Sequence, residues 1–165
     1  MMTDTPLEAA FPRPGHDHHA CIALAIERAE RAFAAKGLRL TEQRRRVLEE
    51  IAASHHAVGA YEILERLAQK GKRLAPISVY RAIDALLDVG VVHRLESKNA
   101  FFACHTKHTA GGDQIVLTCE RCGRVAEVPG KPVFDAIAKA ARQVSFQPGH
   151  TIAEVSGVCA ECRAD

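Results

Sequence analysis

The sequence predicts an α+β chain in two parts, and three observations predict it. Helical periodicity runs through the first half, the period shortens to two after Gly90, and two Cys-x-x-Cys pairs fall in the last third. A chain of 165 residues is long enough for one ordinary domain or two small ones. Apolar residues make up 47% and charged residues 25%, a normal globular balance, while aromatics at 5% and no Trp leave the core aliphatic. No stretch approaches the roughly 18 consecutive apolar residues of a membrane span. Met1 to Gly15 lacks the basic start and apolar block of an export signal, so the expected location is cytoplasmic.

Met1 to Gly15 mixes Pro, Thr, Asp and Gly without periodicity and reads as part of a mobile tail, residues 1–20. A helix is expected from about His19 to Lys36, with Ile22, Ile26, Ala29 and Phe33 on one stripe and Gly37 as its stop. Thr41 is the expected N-cap of a second helix, Glu42 to Ala53, which buries Val47, Leu48 and Ile51. The bridge Ser54 to Gly59 leads to a third helix, about Ala60 to Gln69. Pro76 suits a first helical turn, so Ile77 to Val89 reads as a fourth helix closed by Gly90. Val91 to Glu96 and Ala100 to Cys104 are β-like runs joined by Ser97-Lys98-Asn99, a hairpin. Three helices and a hairpin in this order make a winged helix-turn-helix, residues 21–104.

His105 to Asp113 is polar and Gly-containing, and reads as a hinge. Beyond it, over residues 114–165, Gln114 to Thr118, Val125 to Val128 and Thr151 to Val155 read as strands and Val133 to Val144 as a helix. A core of about 50 residues is marginal alone and calls for a metal or a partner subunit. Charge divides along the same line. From Ile22 to Cys104, 14 Lys/Arg face 10 Asp/Glu, a net of +4; from His105 onward 7 face 7. An acidic partner is therefore sought on the first part.

Six cysteines and nine histidines are many for this length, and in a reducing compartment clustered cysteines bind metal more often than they pair. Cys119-Glu-Arg-Cys122 and Cys159-Ala-Glu-Cys162 are separated by 36 residues. Each pair lets two thiolates converge from a tight turn, and four thiolates complete the shell of a closed structural zinc. The competing reading, two redox-active thiol pairs, lacks the βαβ setting such a motif needs. Cys104, His105 and His108 cluster at the end of the hairpin and start of the hinge, His93 lies on the first hairpin strand, and Glu127 follows the first knuckle by five residues. Taken singly, each such histidine reads as a solvated side chain; their gathering at a hinge points to a second metal site.

The chain resembles the ferric uptake regulator family and, within it, the zinc uptake regulator branch. Arg39-Leu40-Thr41-Glu42-Gln43-Arg44, Gly59-Ala60-Tyr61-Glu62-Ile63-Leu64 and Ser78 to Leu87 carry the resemblance, with Gly90 to Ser97, Cys104-His105 and the two knuckles. It spans nearly everything from Cys21 to Cys162. The resemblance implies a homodimeric repressor: a winged helix that binds double-stranded operator DNA, followed by a small α/β dimerisation domain built on the Cys119, Cys122, Cys159 and Cys162 zinc. It also implies a regulatory zinc held by His93, Cys104, His108 and Glu127, making at least two zinc ions per chain. A thiolate at Cys104 softens that site and suits Zn²⁺ over Fe²⁺ or Mn²⁺.

This chain reduces the His-rich hinge run of iron and peroxide sensors to His105 and His108. His105 and His150 are accessory-metal candidates; His150 matches a further family site, where the helix offers Val133 and Phe134 in place of the expected acid. His55 and His56 lie near where iron-type members recruit a ligand, and read otherwise as decoration of an exposed turn. His16, His18, His19 and Cys21 form a ligand-rich patch before the first helix, read either as a solvated helix start or as a weak accessory metal contact.

In a winged helix-turn-helix the last helix enters the major groove, which points to Ser78, Tyr80 and Arg81 as DNA contacts. Arg81 suits a bidentate bond to guanine, and Tyr80 a thymine methyl or a phosphate, unless it packs inward. The resemblance adds Tyr61. Arg44-Arg45-Arg46 suits phosphates or is an ordinary solvated face. No HExxH motif or open zinc site with a base supports an enzyme, and no small-molecule substrate is implied. The expected function is a zinc-responsive repressor of zinc-uptake genes. An iron- or peroxide-responsive regulator and a constitutive zinc-ribbon adaptor are the alternatives.

Overall fold

The computed structural model describes residues 11, 15, 17–104 and 113–164, arranged in two compact units, Pro12–His105 and Thr106–Asp165 with Met1–Phe11. His16, His105 and His108, and with them most of the expected tail and hinge, lie outside the described residues.

In the first unit, α1 (His18–Ala35) starts at Asp17, whose carboxylate accepts from the His19 amide at 2.9 Å. It buries Ala25, Ala29 and Phe33 along one stripe. Gly37 ends it with φ +67°, a conformation a side chain would strain, while the Leu38 amide donates back to the Phe33 carbonyl at 2.9 Å. Thr41 caps α2 (Glu42–Ala52) by accepting from the Arg44 amide at 3.4 Å. α3 (Ala60–Gln69) and α4 (Pro76–Asp88) follow, the latter with its proline in the first turn, where a missing amide costs nothing. Val47, Leu48, Ile51, Ile63, Leu67, Val79, Ile83 and Leu86 meet in one aliphatic core.

The wing pairs β1 (Val92–Leu95) with β2 (Ala100–Ala103), antiparallel, with His93 opposite Phe102. β2 starts where the sequence predicts and ends one residue before Cys104. β1 stops at Leu95, one residue sooner than predicted, because Glu96–Lys98 winds into a 3₁₀ turn and Asn99 takes a left-handed φ of 47°. Asparagine tolerates that region, and its side chain accepts from Arg94 at 2.6 Å. Val58 bridges to Phe101, tying the segment before α3 to the wing.

In the second unit, β3 (Gln114–Cys119) lies between β4 (Val125–Pro129), antiparallel, and β5 (Ala153–Gly157), parallel. A parallel return needs a crossover, supplied by α5 (Lys131–Gln143). β5 begins two residues later than its apolar pattern suggests, because its register against β3 places Gly157 beside Cys119. A short helix, α6 (Ala160–Ala164), closes the described chain; it is too brief to show a periodicity in sequence. Among the described residues no helix is long and apolar enough to cross a membrane.

Candidate functional site

Cys119 ends β3 and Cys122 sits in the turn that follows. Gly123 adopts φ +72° there, and its amide donates to the Cys119 carbonyl at 2.8 Å. Cys159 follows β5 and Cys162 lies on α6, so the parallel pairing of β5 with β3 delivers the second pair to the first. All four sulfurs lie within 4.8 Å of one another. Cys122 and Cys159 Sγ are 3.8 Å apart. That is about the 3.8 Å separation set by two thiolates 2.3 Å from a tetrahedral zinc.

The charges around the four sulfurs call for a cation. The Cys122 and Cys159 amides donate to Cys119 Sγ at 3.5 and 3.4 Å and draw its pKa down to about 6. Hydrogen bonding to Cys159, then burial and the other sulfurs, push Cys162 up to about 12. Burial opposes ionisation of Cys122, but donation from Arg124 outweighs it and holds the thiol below its ordinary value. One cluster thus favours a thiolate at one sulfur and a proton at another, a conflict that a divalent ion would remove by favouring the thiolate at all four. The donor set fits zinc: four sulfurs, closed, with no open coordination position.

Sequence reasoning missed Arg124. Its guanidinium is nearly buried and donates to Cys122 Sγ at 3.2 Å and Cys159 Sγ at 3.6 Å, while Glu161 accepts from its other side. A basic residue two positions after the first pair, with an acid inside the second, was the available signal.

In the first unit the wing brings His93 and Cys104 together. His93 is on β1 and Cys104 follows β2 directly, with its amide donating to the Val91 carbonyl at 3.1 Å and its carbonyl accepting from Arg28 at 3.0 Å. The His93 ring nitrogen and the Cys104 sulfur lie within 4.8 Å of each other. Glu127, in the second unit, is buried on β4 opposite Val116. His150 is exposed before β5, and among the described residues it joins no cluster of potential ligands.

The exposed face of α4 is the candidate nucleic-acid surface. Val79, Ile83 and Leu86 turn inward, while Ser78 is half-buried and Tyr80 and Arg81 are exposed. Tyr80 is therefore a surface residue and not a core aromatic. Tyr61, in the first turn of α3, is 80% exposed, an unusual cost for an aromatic ring. The three arginines of α2 differ from a free basic face. Arg44 stacks 4.9 Å over the Phe33 ring and donates to the Arg39 carbonyl, Arg45 pairs with Glu30, and Arg46 with Glu42.

His55 corrects the reading of an exposed His-His turn. It is only 7% exposed and its ring lies 5.2 Å, centroid to centroid, from that of His18. His56 is exposed, as is His19, whereas His18 and Cys21 are half-buried on α1. Burial, and then Asp17, push the Cys21 thiol above its ordinary value.

Residues 35–155 match the model of the ferric uptake regulator family. The zinc uptake regulation protein of Escherichia coli (strain K12) is 34% identical over 137 residues, covering 83% of this chain and 80% of that protein. The peroxide-responsive repressor PerR of Staphylococcus epidermidis is 28% identical over 134 residues, covering 78% and 84%. Among solved structures, a zinc uptake regulator complexed with zinc and DNA superposes with a TM-score of 0.77 at 32% identity, covering 90% of this chain and 97% of that one. Holo XcZur superposes with the same score at 39% identity, covering 87% and 99%. Its sequence, its two folded units and its four-cysteine cluster agree: the chain belongs to the ferric uptake regulator family.

Proposed function

We propose that the protein is a zinc-responsive transcriptional repressor, acting in the cytoplasm as a metal-loaded homodimer on operator DNA that controls zinc-uptake genes. The observation that carries this reading is the likeness, over 90% of the chain, to a zinc uptake regulator solved with zinc and DNA. The exposed aromatic and basic residues Tyr61, Tyr80 and Arg81 support it, since a winged helix uses such a face on base edges and phosphates. The homodimer is supported by apolar side chains left exposed on the second unit, Val133, Ile137, Phe146 and Val155 among them. Family members are regulators and not enzymes.

Cys119, Cys122, Cys159 and Cys162 hold the structural zinc. His93, Cys104, His108 and Glu127 would hold the regulatory one, a nitrogen, sulfur and oxygen set that suits Zn²⁺ better than Mg²⁺ or Mn²⁺. A zinc ion bound there would hold these donors in one arrangement. His93 and Cys104 present their donors from adjacent strand ends, and Arg28 anchors the Cys104 backbone. A two-fold dimer reads a two-fold operator only when its recognition helices keep one spacing, and a regulatory metal would act by favouring the state that keeps it.

The test is fluorescence anisotropy on labelled promoter DNA from zinc-uptake genes, titrated with buffered Zn²⁺, Fe²⁺ or Mn²⁺. Binding that tightens at least tenfold with Zn²⁺ alone is expected. A response to Fe²⁺ or Mn²⁺ in its place assigns the chain to the iron or peroxide sensors. Binding indifferent to every metal makes it a constitutive DNA-binding adaptor.

A further inference from the structure

Cys104 is fastened on both sides of its backbone, and one fastening comes from α1. Its amide donates to the Val91 carbonyl at 3.1 Å, and its carbonyl accepts from Arg28 Nη1 at 3.0 Å, across 76 positions of chain. The first bond extends the wing ladder by one pair beyond Val92 and Ala103. Side chains alternate along strands, so His93 and Cys104 fall on one face of the hairpin as diagonal neighbours. Their donor atoms lie within 4.8 Å of each other. Phe102 packs beside the imidazole, its ring centroid 5.9 Å from that of His93.

The two bonds at Cys104 belong to a frame that reaches α4. The Val91 amide donates to the carbonyl of Leu86, in the last turn of α4, at 3.2 Å. Lys36, directly after α1, donates from Nζ to the carbonyl of Asp88, the last residue of α4. Helix α1 is thus tied to the end of α4 through Lys36 and to the end of the wing through Arg28. Ala25 and Ala29, beside Arg28 on α1, are buried, so packing fixes the base from which Arg28 reaches. A residue just past a strand end frays unless something holds it, and Arg28 holds this one.

We propose that Arg28 is a positioning residue for zinc at the wing: by holding the Cys104 backbone to α1, it keeps the sulfur beside His93 before the ion arrives. The inference rests on the reading of Cys104 as a regulatory ligand. A ligand already in place loses little freedom on binding, so the site takes zinc more tightly than the same donors on a loose strand end. The ion in return favours the fastened wing end, since a ligand shifts a protein toward the state it binds best. The bonds through Val91 and Leu86 make that fastened end continuous with the last turn of α4.

The experiment compares full-length wild type, Arg28→Met, Arg28→Lys and Cys104→Ser, each carrying its four-cysteine zinc, titrated with Zn²⁺ against a competing chelator. Methionine keeps an apolar stem and a good helix preference but has no donor, whereas lysine keeps a donor on a shorter stem. Arg28→Met is expected to bind the second zinc about 3–10-fold more weakly, the usual net effect of one hydrogen bond, with the four-cysteine zinc unchanged. Arg28→Lys should recover part of that loss. A second readout needs no second zinc: amide hydrogen exchange should quicken at Cys104 in Arg28→Met and stay as in wild type across the core of α2, α3 and α4. Arg28→Gln, whose amide falls short of the carbonyl, takes the place of Arg28→Met if that variant does not fold. Wild-type affinity and exchange in Arg28→Met, or an equal loss in Arg28→Met and Arg28→Lys, overturn the proposal. If Cys104→Ser itself takes the second zinc as wild type does, the regulatory reading of Cys104 has failed. That result is distinct from an Arg28→Met that matches wild type while Cys104→Ser does not, which removes Arg28 alone.

Discussion

The Arg124 guanidinium donates from Nε to the Cys122 sulfur at 3.2 Å, and it is held there by Glu161. Four thiolates around Zn²⁺ leave a net double negative charge in a nearly closed pocket, and a fixed cation at this distance offsets part of it. Arg124→Ala is expected to weaken zinc retention about 10–100-fold, the usual range for a residue that orients and neutralises metal ligands. Arg124→Lys should recover only part, because one ammonium cannot serve two sulfurs and a carboxylate from a planar fork. Competition with a chromophoric chelator measures both.

Removing a ligand itself should do more. Cys119→Ser or Cys162→Ser opens the closed site, and for a unit this small zinc binding is folding energy. Structural zinc contributes about 10–16 kcal/mol in small metal-dependent domains. Losing most of that is comparable to the roughly 5–15 kcal/mol by which ordinary domains are stable. Zinc content, circular dichroism and sedimentation velocity should show metal loss, partial unfolding and monomers. A folded dimer with full zinc would contradict the structural role.

Cys104→Ser should separate sensing from folding. The four-cysteine zinc and the dimer are expected to persist, while zinc-dependent DNA binding is lost at physiological free zinc. Serine keeps the size of the side chain but removes the thiolate that, with His93, selects zinc at the wing. The anisotropy curve against free zinc should move at least tenfold to the right. An unshifted curve would place sensing elsewhere.

Arg81→Ala is expected to weaken operator binding by about 1–3 kcal/mol and to relax base preference at one position. Arg81 is exposed beside Tyr80 on α4, whose opposite face carries the buried Val79, Ile83 and Leu86. Zinc content and dimerisation should stay as in wild type. Gel-shift competition with single-base operator variants reads both effects.

Gly130→Ala tests the packing of α5 on the sheet. A Cβ at Gly130 would lie 2.5 Å from Ile115 Cγ1 and 2.9 Å from its Cδ1, well inside contact distance. Ile115 is β-branched and its backbone is paired on both sides on β3, so relief requires a change of its χ1 rotamer or a shift of the chain at position 130. Overpacking of this kind costs about 1–3 kcal/mol. Chemical denaturation of the zinc-loaded protein should show the loss, with no change in DNA-base preference.

What the residues determined by themselves was local. Helix starts at Thr41 and Pro76, stops at Gly37 and Gly90, the aliphatic stripes, the hairpin and the four-sulfur centre were all legible, because capping, periodicity and Cys-x-x-Cys spacing act within a few residues. What only the tertiary structure decided was non-local. The start of β5 follows from its parallel register with β3, which a short apolar run cannot specify. His55 looked like half of an exposed pair, yet the packing of α1 against the connection after α2 buries it beside His18. Arg124 became part of the zinc centre only when the crossover through α5 returned Cys159 and Glu161 to it. Tyr80 was equally apolar and polar on paper, and the core chose Val79 and Ile83 in its place. Side-chain environment depends on which distant segments pack together, and chain spacing carries no record of that choice.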